Sequence, residues 1–513
     1  MKLQSNILKL ALFATGLSGI VAEYILSTLA TYFLGDSVFQ WTMILSIMLF
    51  SMGLGSRLSK FFERDLLQKF IYIEFLLSVL TAFVSVITYS ASAYYGNTGL
   101  VIYALSIIIG ILIGMEIPLV IRLNDQFEEL RLNVSSIMEK DYYGSLLGGV
   151  FFAFVGLPYL GLTHTPFILG TVNFMVAVSL FLVLRTSMNK VKSRKLATMT
   201  LFIFGLIISG AILAGPIIRH GEQVRYRDRV IFEQQSKYQK ITITQSKENF
   251  WLFINGNQQL SSIDEVMYHE PLVHPVMRLS KNPVDILIMG GGDGGAAREV
   301  LKYETVRNIT LVDLDPAMTQ LGQTYELLVQ MNENSMNHEM VNIINEDGFN
   351  YLEKNAAYFD VIIVDLPDPK TVELGRLYSY EFYRLCYKRL RPHGLIVTQA
   401  GSPYYAAKAF NCINITMQEA GFTTVPLHNQ VVTLGEWGWI LGAKHGVSKK
   451  IKTALQNLEF STTPTKWINH DAMTLITSFG KKVFIDDTVK TQVNKIHNPV
   501  LYKYYLDGKW DLY

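Results

Sequence analysis

The chain has 513 residues, of which 50% are hydrophobic, and it carries a formal net charge of +2. This length exceeds what one ordinary hydrophobic core can organise, so more than one domain is expected. The near-neutral charge argues against a nucleic-acid partner. The two cysteines, Cys386 and Cys412, exclude a disulfide framework and lack the spacing of metal ligands.

Residues 1–220 contain repeated apolar segments long enough to cross a bilayer, which takes about 20 residues of helix. The first segment is too long and too polar at its far end for a cleaved signal peptide. We therefore predict a helical bundle with several passes through the cell (inner) membrane. The sequence predicts about seven spans, at residues 7–34, 38–56, 70–93, 98–121, 143–161, 164–185 and 196–218.

Lysine and arginine are concentrated in alternate connections between these spans. Arg57 and Arg64 follow the second span, and Arg122 and Lys140 follow the fourth. The positive-inside rule places such loops in the cytoplasm. Seven spans would then leave the rest of the chain on the outer face, whereas Arg219, just past the last predicted span, favours the inside. The sequence does not determine on which side of the membrane the soluble part lies.

Glu23, Glu74 and Glu116 lie within predicted spans. Acidic side chains are costly inside a membrane, so they are functional candidates by default. One interpretation is a path for a cation such as a polyamine, and the other is a hydrogen-bonded glutamate that pairs two helices.

The pattern changes to that of a soluble α/β protein from about Tyr226. Ile241–Thr244 alternates with a period of two and Asn255-Gly256 is a turn signal, so residues 221–275 are expected to contain a small β-hairpin region. Alternating strands and helices over residues 276–445 predict a Rossmann-like domain of the methyltransferase type. Residues 446–513 are a C-terminal extension to which the sequence assigns no chemistry.

The most informative segment is the glycine-rich turn Gly290–Gly295, which follows the apolar run Ile286–Met289. A strand, a tight glycine turn and a helix in this order bind a nucleotide-like ligand at the carboxyl edge of a parallel sheet. Asp293 within the turn would repel a phosphate group. The expected ligand is therefore a nucleoside with a positively charged substituent, such as an S-adenosyl sulfonium compound.

Acidic residues also follow the other predicted strands, and the carboxyl ends of parallel strands meet at one edge. Five carboxylates are therefore expected in one crevice: Asp293, Asp313, Asp347, Asp365 and Asp368. Their repulsion should raise some of their pKa values. A carboxylate with a raised pKa can take the proton that an ammonium group must lose before it attacks. The crevice is predicted to bind an amine and to deprotonate it beside a sulfonium carbon.

Several short motifs follow one another in a fixed order in the soluble part. They are Tyr238-Gln239, Asn255-Gly256, Tyr268-His269-Glu270, Gly290–Gly295, Val312–Asp315, Glu346–Gly348 and Asp365-Leu-Pro-Asp368-Pro369. With these motifs, residues 226–445 resemble the spermidine synthase family, the polyamine aminopropyltransferases, and the apolar N-terminal region resembles a bacterial membrane branch of it. The resemblance implies aminopropyl transfer from decarboxylated S-adenosylmethionine, a cosubstrate, to putrescine, giving spermidine and methylthioadenosine. It implies neither a metal nor a bound cofactor, and it is compatible with a homodimer.

The resemblance also implies a role for each matching residue. Asp365 corresponds to the proton acceptor. The amine substrate and the aminopropyl ammonium would be held by Asp368, Asp293, His269 and Tyr268. The donor would be bound by Gly290 and Gly292 in the turn, by Gln239 and Asp313 at the ribose, and by Asp347 with Gly348 at the adenine.

The sequence departs from the family pattern mainly on the acceptor side. Leu366 and Pro367 replace a small polar pair, Lys370–Glu373 replaces a Gly-Pro, Pro426–Asn429 replaces a wall of the diamine pocket, and Asp313 replaces a glutamate. Putrescine stays the default acceptor. Two alternatives remain: an S-adenosylmethionine-dependent methyltransferase acting on an amino group, and a non-enzymatic membrane polyamine sensor or transporter.

Overall fold

The computed structural model describes residues 2–35, 37–95, 97–184, 190–480 and 491–510. These residues form two compact units, Met1–Val230 and Ile231–Tyr513. The first unit is built from long apolar helices, and the second is an α/β unit with two sheets.

Over its described residues, the first unit contains α1 (Lys2–Leu34), α2 (Ser37–Ser59), α3 (Leu66–Tyr94), α4 (Thr98–Asn124), α5 (Leu130–Phe151), α6 (Gly161–Leu184) and α7 (Lys190–Arg225). A π-helical segment, Phe152–Leu160, connects α5 to α6. Six helical segments in the described part of the chain are long and apolar enough to cross a membrane. The count is one below the prediction because Leu130–Val183 forms a single run of 54 residues.

This run folds back on itself. It breaks at Gly161, whose φ of 62° and ψ of −172° are not helical. The first arm is parallel to α1, since Tyr24 contacts Phe152 and a β-carbon on Gly144 would collide with the carbonyl of Phe13. A straight helix of this length would extend about 80 Å, more than twice the thickness of the hydrocarbon core.

The second arm, α6, is antiparallel to α3. Phe75 contacts Phe174 at 6.0 Å between ring centroids, and Phe83 contacts Phe167 at 5.3 Å. The two arms therefore correspond to the fifth and sixth predicted spans, although residue 185, the predicted end of the sixth, lies outside the described residues.

Helix α3 runs in the same direction as α1. Thr15 donates to the Glu74 carboxylate at 3.4 Å, and Tyr32 contacts Tyr89 at 6.2 Å between ring centroids. Glu74 and Glu116 are both fully buried in the apolar core of the unit. The hydrogen bond from Thr15 matches the second of the two interpretations for Glu74, that of a glutamate pairing two helices.

The second unit begins with a four-stranded sheet whose strands follow in chain order: β1 (Arg229–Gln235), β2 (Lys240–Ser246), β3 (Asn249–Ile254) and β4 (Asn257–Ser261). Asn255 and Gly256 form the turn between β3 and β4, with φ of 49° and 77°. Left-handed values at both central residues are what a tight hairpin turn requires. The Asn-Gly signal in the sequence thus marks a real hairpin.

The main sheet has seven strands in the order β10-β11-β9-β8-β5-β6-β7. They are β5 (Asp285–Gly290), β6 (Asn308–Asp313), β7 (Val341–Asn345), β8 (Phe359–Asp365), β9 (Leu390–Gly401), β10 (Thr423–Val431) and β11 (Gly435–Ala443). The strands from β9 to β7 are parallel, as predicted. The antiparallel pair β10 and β11 at one edge was not predicted.

Helices cover both faces of this sheet. Ile286 and Ile288 pack on one face, and Leu287 and Met289 pack on the other. Burial on both faces explains the continuous apolar runs of the parallel strands. The described helices of the unit are α8 (Val266–Leu279), α9 (Gly295–Leu301), α10 (Pro316–Thr324), α11 (Glu326–Met331), α12 (Gly348–Lys354), α13 (Val372–Arg376), α14 (Tyr380–Arg389), α15 (Ala407–Glu419), α16 (Ser448–Gln456), α17 (His470–Ile476) and α18 (Leu501–Leu506).

The C-terminal extension is an integral part of the second unit. The buried carboxylate of Glu270 in α8 accepts the backbone N–H groups of Lys466, Trp467 and Ile468 at 2.6, 2.8 and 2.7 Å. A buried carboxylate is stabilised by such bonds because they replace its lost hydration. The extension is thus held against the helix that carries Tyr268 and His269.

Candidate active site

The glycine turn and the end of β8 lie against each other at the carboxyl edge of the sheet. Gly290 pairs with Asp365 in the register of β5 and β8. The N–H of Gly291 donates to the carbonyl of Asp365 at 3.1 Å. Gly290 and Gly291 have φ of 81° and 66°, and a β-carbon on Gly290 would collide with the Asp365 carbonyl. Glycine is therefore required where the turn meets the proposed base.

His269, Asp293 and Asp365 form a compact group next to this turn. One side-chain nitrogen or oxygen from each lies within 4.8 Å of the others. Nε2 of His269 is 3.6 Å from Oδ1 of Asp293, and the Tyr268 hydroxyl donates to Oδ1 of Asp365 at 2.7 Å. Gly295 leaves room for the imidazole ring, which a β-carbon at that position would hit. The structure thus brings together four of the residues predicted from the sequence.

His269 is held as a cation by its surroundings. Its Nδ1 is 2.7 Å from Glu265, whose carboxylate also accepts two hydrogen bonds of 2.8 Å from Arg298. Burial opposes the charge, but the hydrogen bond to Glu265 and the charges of Asp293 and Asp365 raise the pKa of His269 to about 9. The imidazolium offsets part of the negative charge of the two aspartates.

Asp365, Asp313 and Asp368 have raised pKa values, in agreement with the prediction that some of these carboxylates would. Burial first, and then the charge of Asp293, raise the pKa of Asp365 to about 6, against the lowering effects of His269 and Tyr268. Burial also raises the pKa of Asp313 to about 6 and raises that of Asp368. The prediction attributed the shifts to mutual repulsion, whereas removal from water is the larger cause.

A cavity opens beside Tyr268 and Asp368. The hydroxyl of Tyr505 donates to Oδ2 of Asp368 at 2.6 Å, and Lys370 places its Nζ 4.0 Å from the same oxygen. Tyr505 was not among the predicted site residues, since no chemistry was assigned to the C-terminal extension. The cavity is lined by Gln258, Gln259, Tyr268, Leu366, Asp368, Gln399, Leu434 and Trp437.

Asp313 and the turn that carries Gln239 are connected to the glycine turn. A β-carbon on Gly292 would lie 2.8 Å from Oδ2 of Asp313, so the two are in close approach. The backbone N–H of Gln239 donates to the Ser236 hydroxyl at 3.0 Å, and that hydroxyl donates to Asp315 at 2.7 Å. These bonds place Gln239 near the end of β6.

Asp347 has a different environment from the other four aspartates. Its Oδ1 accepts the N–H of Asn350 at 2.9 Å as the cap of α12, and it pairs with Arg376 at 3.0 Å. Gly348 lies against Met289 in β5, where a β-carbon would lie 2.6 Å from the methyl carbon of that side chain. The structure therefore groups Asp293 with Asp365, and pairs Asp347 with a cation instead.

The segment Pro426–Asn429, which stands where the family pattern has a wall of the diamine pocket, is not part of the cavity lining. It lies in β10, where His428 pairs with Glu436 at 2.8 Å and Asn429 donates to the carbonyl of Met267 at 2.8 Å. The cavity is lined instead by residues of β4, α8, β9 and β11, by the segment after β8 and by the turn before β11.

Comparisons with known proteins connect this geometry to one family. Residues 265–454 match the Spermine/spermidine synthase domain. Polyamine aminopropyltransferase 2 of Aquifex aeolicus is 38% identical over 502 residues, which cover 98% of each chain. A polyamine aminopropyltransferase of Leptospira interrogans is 36% identical over 499 residues, 96% of each chain. The crystal structure of spermidine synthase from Thermotoga maritima is 28% identical, with a TM-score of 0.45, over 50% of this chain and 86% of its own.

The two curated relatives align along both units, so the similarity is not confined to the α/β part. The matched domain contains the glycine turn, His269, Asp293, Asp365 and Asp368. These enzymes are named for aminopropyl transfer, which gives no support to the methyltransferase or to the non-enzymatic alternative. The group of acidic residues at the sheet edge and the near full-length similarity lead to one conclusion: the chain is an enzyme of the polyamine aminopropyltransferase family, to which the spermidine synthases belong.

Proposed function

We propose that the enzyme transfers the aminopropyl group of decarboxylated S-adenosylmethionine to putrescine, giving spermidine and methylthioadenosine. The observation that carries this proposal is the contiguous group of Asp365, Asp293, His269 and Tyr268 beside the glycine turn. Carboxylates attract both the cationic donor and the diamine, and they disfavour ordinary S-adenosylmethionine, whose own carboxylate would be repelled.

Asp365 acts as the general base. It takes a proton from one ammonium group of putrescine, whose pKa resembles the value of about 10.4 for a lysine. The freed nitrogen lone pair then attacks the aminopropyl carbon bonded to sulfur. The carbon–sulfur bond breaks and its electron pair stays on sulfur, which becomes the neutral thioether of methylthioadenosine. A pKa of about 6 keeps Asp365 ionised at neutral pH and makes it a stronger base than an ordinary aspartate.

The neighbouring residues position the two substrates. Asp293 binds the aminopropyl ammonium, and the imidazolium of His269 orients Asp293 at 3.6 Å. Tyr268 holds Asp365 through its hydroxyl, and Asp368 binds the acceptor amine from the cavity. The donor is bound by Gly290 and Gly292 in the turn, by Gln239 and Asp313 at the ribose, and by Asp347 with Gly348 at the adenine.

The test is product analysis with the purified full-length chain. Decarboxylated S-adenosylmethionine, or in a parallel reaction ordinary S-adenosylmethionine, is offered with putrescine, cadaverine or spermidine, and the products are quantified by mass spectrometry. We expect spermidine and methylthioadenosine in equal amounts with putrescine. If another amine is used more efficiently, that amine and not putrescine is the acceptor. Failure to form methylthioadenosine with all three amines would contradict the proposal, as would a methylated amine formed from ordinary S-adenosylmethionine.

We also propose that the first unit is embedded in the cell membrane with several passes. The six candidate spans support this, as do the large apolar side chains that the unit exposes, such as Phe50, Phe154, Leu201 and Phe202. Carbonate extraction of isolated membranes should leave the protein in the membrane fraction. We further propose a homodimer, as the family resemblance permits, which light scattering of the detergent-solubilised protein tests.

A further inference from the structure

The C-terminal helix α18 supplies a side chain to the acceptor side of the site. The Tyr505 hydroxyl donates to Oδ2 of Asp368 at 2.6 Å, and the ring is 2% exposed. Trp510 fixes this tyrosine, since its Nε1 donates to the Tyr505 carbonyl at 2.7 Å and the two rings lie 4.7 Å apart. Tyr505 lies outside residues 265–454, the part that matches the family domain. The contact therefore comes from the extension and not from the domain itself.

Lys370 competes for the same carboxylate oxygen. Its Nζ is 4.0 Å from Oδ2 of Asp368, and it donates to Oδ1 of Asn257 at 2.6 Å. It also lies over the Tyr505 ring, 5.7 Å from the centroid. A neutral hydroxyl holds Asp368 without cancelling its charge, whereas a direct ion pair with Lys370 would cancel the charge that attracts an ammonium group.

We propose that Tyr505 is a positioning residue for the acceptor amine, which keeps Asp368 directed toward the cavity and away from Lys370. The inference rests on the proposed role of Asp368 in binding the acceptor. It assigns to the C-terminal extension a part in substrate specificity: the bond to Tyr505 fixes one carboxylate oxygen, and thereby orients the other toward the amine. Without the hydroxyl, Asp368 closes on Lys370 and the acceptor loses its anionic partner.

The experiment compares steady-state kinetics of Tyr505→Phe with those of the wild type and of Tyr502→Phe. Tyr502 is a matched control because it lies on the same helix. We expect Tyr505→Phe to raise the acceptor KM by roughly 10-fold, the effect of losing one hydrogen bond to a charged group, with the donor KM unchanged. Tyr502→Phe should leave both values as in the wild type. An unchanged acceptor KM, or an equal rise in both KM values, would overturn the proposal.

The variant Lys370→Met tests the same inference with Tyr505 left in place. Its result therefore does not depend on whether Tyr505→Phe folds correctly. Alone, it should lower the acceptor KM because a competing cation is removed. Combined with Tyr505→Phe, it should restore part of the lost acceptor affinity. A purely structural role for Tyr505 predicts no restoration, and that result would overturn the inference. A wild-type enzyme that transfers no aminopropyl group would instead contradict the proposed function, so the two failures are distinguishable.

Discussion

The proposed base, Asp365, is held by contacts from three different elements. It ends β8, the turn after β5 lies against its carbonyl, and Tyr268 in α8 donates to its carboxylate. Asp365→Asn preserves the shape and the hydrogen bond from Tyr268 but removes the proton acceptor. We expect kcat to fall by roughly 10²–10⁴-fold, the range for a lost general base, with donor binding retained. Titration calorimetry with methylthioadenosine checks binding, and wild-type turnover in this variant would rule out the role.

The raised pKa of Asp365 fixes the acid side of the pH profile. Only the ionised carboxylate accepts a proton, so kcat/KM should fall tenfold per pH unit as the pH drops below about 6. Asp313 also has a pKa of about 6, so the pH profile of the wild type does not show which of the two carboxylates causes the loss of activity. A second variant is needed to distinguish them. Tyr268→Phe removes a hydrogen bond that lowers the pKa of Asp365, and should therefore move the acid limb to higher pH. A limb that stays in place would assign it to another group.

Residues of the site that belong to local motifs could be predicted, and those supplied from a distance could not. The glycine turn and Asp293 lie within six consecutive residues, and Asp365 and Asp368 are three apart. Because these residues are close in sequence, they form motifs from which the chemistry of the site could be predicted. Tyr505 reaches Asp368 across 137 residues of sequence, which no local pattern reveals. Arg376, which neutralises Asp347, was missed for the same reason.

At the level of elements, α8 connects the active site to the C-terminal extension. Glu270 follows His269 directly and accepts three backbone N–H groups of the extension. Glu270→Gln keeps the volume but replaces one acceptor oxygen by a donor, which leaves buried N–H groups unsatisfied. We expect the free energy of unfolding of the second unit to fall by roughly 1–3 kcal/mol.

Chemical denaturation monitored by tryptophan fluorescence measures this loss, with Glu459→Gln as the control. Glu459 is also in the second unit, but its side chain is 69% exposed, so its substitution should change little. Equal stability of the two variants would show that the three bonds do not hold the extension.

Most element types were predictable from periodicity, whereas the antiparallel edge of the main sheet was not. The parallel strands read as apolar runs because both faces are buried. The antiparallel pair β10 and β11 contains Pro426, Asn429 and Gly438, residue types that are depleted in strands and weaken the strand signal. In the bundle, hydropathy placed the end of the fifth span at residue 161, where the helix breaks, but it did not show that Phe152–Leu160 is π-helical.

At the scale of the whole molecule, the direction of the helices decides on which side the chain leaves the bundle. Helix α7 runs along α3 in the same direction: a β-carbon on Gly210 would collide with Phe83, and the Tyr94 hydroxyl lies 3.1 Å from Nε2 of His220. Since α1, α3 and the first arm of the 54-residue run share this direction, the chain reaches Val230 at the end of the bundle opposite its N-terminus.

The basic connections lie at the other end, that of the N-terminus. Lys192, at the start of α7, pairs with Asp65 at 2.7 Å in the connection before α3, and Lys9 in α1 pairs with Glu128 at 2.7 Å in the connection after α4. The positive-inside rule places this end in the cytoplasm. The described residues after 230 contain no further candidate span. The catalytic unit is therefore predicted on the non-cytoplasmic side, in spite of Arg219 near the end of α7 and of Arg227 and Arg229 after it.

Reporter fusions test this arrangement directly. Alkaline phosphatase, active only outside the cytoplasm, should be active when fused after residue 97 or 230 and inactive after residue 64, and green fluorescent protein should show the reverse. Activity on the same side for residues 64 and 230 would contradict the seven-pass direction of the helices. If the reporters place all three fusion positions on the opposite side from the one predicted, the arginines after α7 determine the orientation and the basic loops do not. Because the donor is made in the cytoplasm, the predicted arrangement requires that it cross the membrane before it reaches Asp365.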